Sequence, residues 1–325
     1  MIVITTYLLN LLALVLALIL DSIFGEPPEK LHPTVWMGRV VAFLKPTFRS
    51  RSPSKARIGG IVLWLICVAL FTIPTVVAIA LAQECLGSIG YVLVSAVILK
   101  TSFALKSWDN HMIPVSTALE LKKVDDAKKL VQRTVRRDLS NADEQHIISA
   151  GVETIAEGIV DGYTSPIFYF ALFATPGAIV YRVINTLDSM VGYRDQENVN
   201  LGWFSARMDT ITNYLPARIT AYSMLIASAL LRENWRRSKD FLARYRGTTE
   251  SPNSGWPMST MAGALGVRLE KVGYHELGDV YEDLAVNHIH RALNIMKVTC
   301  AVFTVVAAVP LLLGSQLIHD LVSMV

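Results

Sequence analysis

Apolar residues run almost unbroken from Ile2 to Leu20 and stop at Asp21. A bilayer core takes about 20 apolar residues in a helix, so this run predicts a membrane span. Ile58 to Ala82 predicts a second span and Gly87 to Leu105 a third. Lys100 lies near the end of the third, where its stem can reach the interface. Val298 to Ile318 predicts a fourth, with Pro310 kinking the helix rather than stopping it. Two further stretches fit either a span or a re-entrant hairpin. Tyr163 to Tyr181 carries Pro166 and the pair Pro176-Gly177, and Pro216 to Leu231 carries Arg218 and Thr220. No strand-rich section, internal repeat or low-complexity tract is visible. The pattern predicts an all-α polytopic membrane protein of four to six membrane helices, in a single membrane-embedded catalytic domain over 1–325.

The loops add an orientation. Residues 21–57, 106–161 and 232–297 are rich in Lys and Arg, whereas Gln83 to Ser88 has neither. The positive-inside rule puts the three basic stretches in the cytoplasm and both termini outside. The two ambiguous stretches are flanked by cytoplasmic loops, so both cross or neither does. If both cross, Arg182 to Leu215 lies outside. If neither crosses, that segment faces the cytoplasm. Pro176-Gly177 in the middle of an apolar run suits a hairpin tip, because broken backbone at membrane depth is tolerated where it lines a cavity. The hairpin is the favoured reading, with a site facing the cytoplasm.

Composition agrees with the pattern. Hydrophobic residues make up 52% and charged residues 18% of the 325, more apolar than an ordinary globular chain. A formal charge of +3 is too small to argue for nucleic acid. Cys67, Cys85 and Cys300 are far apart and form no metal-binding pattern, so they read as packing residues. No charged n-region precedes the first run, which reads as a retained span rather than a signal.

Five constellations could carry chemistry, each with a plainer reading beside it. In Asp21 to Gly38, glycine and prolines break the helix, and Asp21, Glu26 and His32 are candidate metal or proton-transfer groups; alternatively Asp21 ends the helix and Trp36 anchors the interface. A helix starting near Asn141, with Glu144 completing a capping box, carries Glu153, Glu157 and Asp161 at spacings of four. Like charges so spaced repel, so the stripe is either solvated or gathered round a magnesium ion. In Ala178 to Val191, Arg182, Asn185, Asp188 and Ser189 share the polar arc; they face a cavity or lock two helices through an Arg182–Asp188 pair. In Gly202 to Thr220, one helix would put Ser205, Asp209, Thr212 and Asn213 on one face and Arg207, Tyr214 and Arg218 on the other, with Pro216 limiting its extent. Guanidinium groups grip phosphate in a fork, and carboxylates hold its metal. Ser251 to Gly266 is a turn before a small helix, and its backbone N–H groups around Asn253 and Ser254 suit a phosphate. It matches no P-loop.

Several of these blocks resemble the CobD/CbiB family of cobalamin biosynthesis: GEPPEKLHPTVWMG, RRDLSNADEQHI with VETIAEGIVDGYTSPIFY, NTLDSMVGYR, GWFSARMD followed by NYLPARIT, and SPNSGWPMSTMAGALGVRL. They occur in the family's order between Asp21 and about Leu269. Gly158 departs from it, since Asn is expected after the Glu. The resemblance implies a membrane-bound enzyme of the cell membrane. Its reaction would join (R)-1-aminopropan-2-ol, or its O-phosphate, to the free propionate of adenosylcobyric acid through an amide bond. Such chemistry needs an acyl phosphate from ATP, with magnesium and a base for the ammonium proton. The implied assignments give Glu157, Asp161, Asp188, Asp209 and His32 catalytic roles. Arg182, Asn185, Ser189, Arg207, Asn213, Arg218, Asn253 and Ser254 would bind substrate, and Glu153, Glu157, Asp161 and Asp188 would hold metal. Other enzymes of cobalamin assembly are further candidate partners. A transporter and a corrinoid-binding scaffold stay open as rival readings.

Overall fold

A computed structural model describes residues 2–135, 137–193 and 195–315. Residues 316–318 of the fourth expected span, and Arg136 and Arg194 of the family blocks, lie outside these. The chain is all-α apart from one short hairpin, and four helical runs are long and apolar enough to cross a membrane: Thr6–Phe24, Pro53–Lys100, Glu144–Val191 and Asn287–Ser315. The domain expected over 1–325 is built of two compact units.

The first unit takes residues 2–104, 165–212 and 308–315. It holds α1 (Ile2–Phe24), α2 (Pro33–Phe48), α3 (Pro53–Lys100), α7 (Ser165–Val191) and α8 (Trp203–Thr212). Its core is a seam of Met37, Val41, Leu63, Cys67, Ile179, Val183, Leu187 and Val191. This is the apolar arc expected of Ala178 to Val191.

The expected second and third spans are the two arms of α3, with no loop between them. Gly87 alone leaves the helix, at φ 61° and ψ −147°. The chain reverses there, since a Cβ on Gly90 would sit 2.1 Å from the carbonyl oxygen of Ala82. In a straight helix these residues would be roughly 12 Å apart along the axis. The second arm packs beside α1, where Tyr91 donates a 2.6 Å hydrogen bond to buried Asn10.

The same turn recurs in α7. Ala174 has φ 53° and ψ −158°, and a Cβ on Gly177 would sit 2.4 Å from the carbonyl oxygen of Tyr169. Both turns follow one rule: a positive-φ residue, then glycine three places on, packed against the carbonyl five places before the turn. The hairpin brings Tyr169 and Tyr181 into a stack with centroids 5.6 Å apart. The reversal expected near Pro176-Gly177 is present, two residues earlier. Such dihedrals are nearly confined to glycine and cost other residues about 1–3 kcal/mol. Ala174→Gly is therefore expected to raise the unfolding temperature in detergent. Gly177→Ala is expected to lower it. Equal midpoints for both variants would show that the turn is unstrained.

The second unit takes residues 105–164 and 213–307. It holds α4 (Lys106–Glu120), α5 (Val124–Gln132), α6 (Glu144–Ile159), α9 (Tyr214–Leu230), α10 (Trp235–Tyr245), α11 (Gly255–Leu265) and α12 (Asn287–Phe303). Two three-residue strands, β1 (Leu269–Lys271) and β2 (His275–Leu277), pair antiparallel. The hydropathy pattern did not predict them, because three residues are too short to show alternation. Helix α11 is buried on nearly all sides. Arg237 closes its C-terminal end, donating to the carbonyls of Gly263 at 2.7 Å and Ala264 at 3.4 Å. After α12 a π turn at Thr304–Ala308 precedes Pro310, and the helical run continues to Ser315. Pro310 does not end it. All three cysteines are free.

Candidate functional site

In the first unit, α1 continues through Asp21 to Phe24, so Asp21 does not end the helix. Its carboxylate lies 3.0 Å from Lys100 Nζ, with the two side chains 2% and 7% exposed. Lys100 therefore does not reach out to the interface. A buried ammonium is cheaper paired than stretched towards water that its neighbours exclude. Lys100 Nζ also lies 3.5 Å from Glu26 Oε1, and Glu26 Oε2 accepts from His32 Nε2. His32 Nδ1 accepts the backbone N–H of Thr34 at 3.2 Å, which makes His32 the N-cap of α2. Both ring nitrogens are thus engaged, and the proton sits on Nε2. These bonds let the ring position Glu26 and start a helix. Trp36 is partly exposed, and its Nε1 donates to the Lys30 carbonyl.

Burial pushes the Glu26 carboxyl up, but His32, Lys100 and Arg182 outweigh it and hold the group below its ordinary value. Its contribution to stability is complete above the unfolded pKa and is lost as pH falls through the lower native one. Thermal unfolding scanned from about pH 6 to about pH 3 should fall more steeply for the wild type than for Glu26→Gln. Parallel curves would remove Glu26 from the acid limb.

Arg182 stands beside this cluster. Its Nε donates to the Ser102 carbonyl at 2.7 Å, its Nη2 to the same oxygen, and its Nη1 to Asn185 Oδ1 at 3.1 Å. Ser102 follows the end of α3, where carbonyls lack helical partners, so the guanidinium caps it. Asn185 passes the contact on, its Nδ2 lying 3.3 Å from Asp209 Oδ1. Ser189 donates to the Asn185 carbonyl of its own helix. Asp188 lies against Gly192, where a Cβ would be 2.0 Å from its Oδ1, so the helix end must be glycine. Arg207 is exposed and makes no ion pair among the described residues.

In the second unit, the N-cap of α6 is Asp143, not Asn141. Its carboxylate accepts the His146 N–H at 2.9 Å. The expected acid stripe does not form. Glu153 is buried and held by Arg137 at 3.1 Å, His275 at 3.3 Å and Ser149 at 2.8 Å. Ser149 also accepts from the Glu270 N–H, so this cluster fastens the β-hairpin to α6. Glu157 lies on the exposed side of α6. Asp161 falls in a π turn, Val160–Thr164, whose wider winding takes it off the spacing of four. There it accepts from Asn213 Nδ2 at 3.2 Å. Gly158 packs under Trp108, and a Cβ would meet the indole at 1.9 Å. The ring fills the space of the family's expected side chain.

The expected single helix over Gly202 to Thr220 is broken at Asn213, which assigns Asp209 to one unit and Asn213 to the other. Pro216 lies in the first turn of α9, where a missing N–H costs nothing. Arg218 donates to Asn253 Oδ1 at 3.0 Å and stacks on Tyr214 and Trp256. Ser254 precedes α11 without capping it through its side chain. Lys100, Arg137 and His275 were missed by the reading of the sequence. Lys100 carried a signal, a base inside an apolar run. His275 carried none.

Among the described residues no three His, Cys, Asp or Glu groups are gathered closely enough to cage a metal. The set Glu153, Glu157, Asp161 and Asp188 is therefore not a cage, and Glu153 is already neutralised. Magnesium commonly binds through one or two carboxylates plus substrate phosphates, and Asp209 beside Asn185 offers that donor chemistry.

Helices apolar enough for a bilayer, with ionisable groups buried beside charged partners, define a polytopic membrane protein. The family model described as CobD/Cbib protein matches residues 14–305. The chain belongs to the CobD/CbiB family of cobalamin biosynthesis proteins. It is 41% identical over 295 residues to the "Probable cobalamin biosynthesis protein CobD" of Methanothermobacter thermautotrophicus, covering 91% of this chain and 96% of that one. It is 38% identical over 269 residues to the "Cobalamin biosynthesis protein CobD" of Dehalococcoides mccartyi, covering 83% and 87%. The Klebsiella pneumoniae protein of the same name is 35% identical over 300 residues, covering 89% and 94%. No solved structure matches.

Proposed function

We propose that this protein joins aminopropanol, or its O-phosphate, to the free propionate of adenosylcobyric acid in an ATP-dependent amide ligation. The observation that carries the reading is the Arg182–Asn185–Asp209 chain. It sets a guanidinium, an amide and a carboxylate in sequence, in a family whose members are named for cobalamin biosynthesis. A carboxylate and an ammonium do not condense in water. The propionate oxygen first takes the γ-phosphoryl of ATP, releasing ADP. A base takes one proton from the ammonium, the freed amine attacks the acyl carbon, and phosphate leaves, taking up the second N–H proton. Arg182 and Arg218 suit phosphate and propionate. Glu157, Asp161, Asp188 and Asp209 suit the base and metal roles, with Asn185 and Asn213 orienting them. Magnesium, when bound, would neutralise the phosphate oxygens.

The site is proposed to face the cytoplasm. The reversal at Ala174 supports this, because it lets residues 182–212 return to the side from which α7 came. Gln196 is exposed. A cysteine placed there is expected to react with an impermeant maleimide in inverted vesicles and to be protected in intact cells. Labelling in intact cells would put the segment outside.

The reading is tested by turnover. Purified protein receives adenosylcobyric acid, magnesium-ATP and aminopropanol phosphate, and products are followed by mass spectrometry. A cobinamide phosphate peak that disappears when ATP is omitted is the expected result. Corrinoid binding without product from either amine would favour a scaffold or transporter.

A further inference from the structure

Four arginines of the second unit are neutralised by acids. Arg137 pairs with Glu153, Arg244 with Asp240 and Asp279, Arg268 with Glu276, and Arg291 with Glu233. Arg218 and Arg246 depart from this. Neither has an acidic partner among the described residues, yet both lie against one indole. The Arg218 guanidinium is 4.7 Å and that of Arg246 5.4 Å from the Trp256 ring centre. Arg218 also lies 3.4 Å from the centre of the Tyr214 ring. Cation–π attraction offsets part of the repulsion between the two charges, but only an anion would remove it.

We propose that the Arg218–Trp256–Arg246 stack binds a phosphate-bearing anion, and that its occupant is the nucleoside triphosphate of the ligation. The choice of occupant rests on the reading given above. The frame is built in advance. Buried Asn253 holds one arm of Arg218. The loop from Arg246 closes tightly on Gly255, where a Cβ would be 2.3 Å from the Arg246 carbonyl oxygen and 2.8 Å from Thr249 Oγ1. A fixed frame lowers the ordering cost of binding. The chain has no glycine-rich phosphate loop, so side chains must supply the grip, and two guanidinium groups do so geometrically. The exposed rings of Tyr214 and Tyr222 offer stacking faces for a base, Tyr222 meeting Trp256 edge-on.

Arg246 is the residue to change. It is exposed, and its guanidinium donates to the Ala243 carbonyl at 3.2 Å. Equilibrium dialysis would use the full-length protein in lipid-free detergent, with magnesium-ATP, tripolyphosphate or inorganic phosphate, and neither corrinoid nor amine. Arg246→Gln should weaken ATP binding about tenfold, the size of one charge-assisted hydrogen bond. Arg246→Lys should keep part of it, and tripolyphosphate should compete with ATP. ATP binding that depends on Arg246 without amide formation would keep this site and sink the ligation. Arg246-dependent binding of tripolyphosphate or inorganic phosphate, with none of ATP, would keep the phosphate site and overturn its occupant. Unchanged binding of every probe to a folded Arg246→Gln protein would overturn the site itself.

Discussion

Lys100→Met is expected to remove about 3–5 kcal/mol of stability, a large share of the margin of a typical folded protein. The substitution keeps the volume of the stem but leaves the Asp21 carboxylate, 2% exposed, without the cation 3.0 Å away. It also takes the Lys100 contact, at 3.5 Å, from Glu26. A truncated partner costs far more than the pair itself contributes, because the remaining charge stays out of water. The double variant Asp21→Asn/Lys100→Met should recover much of the loss. Yield and unfolding temperature in detergent, taken as a double-mutant cycle, provide the check. A single variant as stable as the wild type would show that the pair contributes nothing to stability.

The second large effect concerns turnover. Glu157→Gln and Asp188→Asn should each lower product formation at least ~100-fold, the usual weight of an acid–base or metal-holding group. Folding and insertion should be unaffected, since each change is isosteric and neither residue belongs to the apolar seam. Size-exclusion profiles and membrane fractions would establish that before rates are compared. Asn in place of Asp188 keeps the shape of the side chain that lies against Gly192. Wild-type turnover by both variants would remove these carboxylates from the chemistry. Glu153→Gln makes the contrast. Its expected defect is in stability, because Glu153 serves Arg137 and His275.

The membrane helices were legible because burial in lipid writes itself as long apolar runs. The reversal in α7 was legible for a related reason, since Pro176-Gly177 interrupts such a run. What hydropathy does not record is which polar groups meet. Asp21 looked like a helix terminator because aspartate is costly in a membrane, yet Lys100, 79 places later, makes it affordable. The acid stripe failed for two reasons. A spacing of four specifies a face only while the helix stays α, and the π turn at Val160–Thr164 changes the winding at Asp161. Glu153 is drawn instead to Arg137 and to a histidine on a strand too short to predict. The break at Asn213 had a visible cause in Pro216, but not its effect of sending Asp209 and Asn213 to different units. Gly158 was readable as a departure, and only Trp108 explains it.

The repeated glycine turn bears on how the chain reaches the bilayer. At the tip of α3, residues 83–88 contain one acid, Glu84, and no base, and at the tip of α7 Phe173, Ala174 and Thr175 carry no charge. Neither hairpin asks the insertion machinery to translocate a basic loop. Each can enter from the ribosome's side as a preformed pair of helices with its backbone already satisfied, and be retained by the basic segments that flank it. Biogenesis would then proceed by hairpins rather than by single helices. A basic residue added at Ser88 should trap α3 half-inserted, readable as a shift in protease protection of the nascent chain.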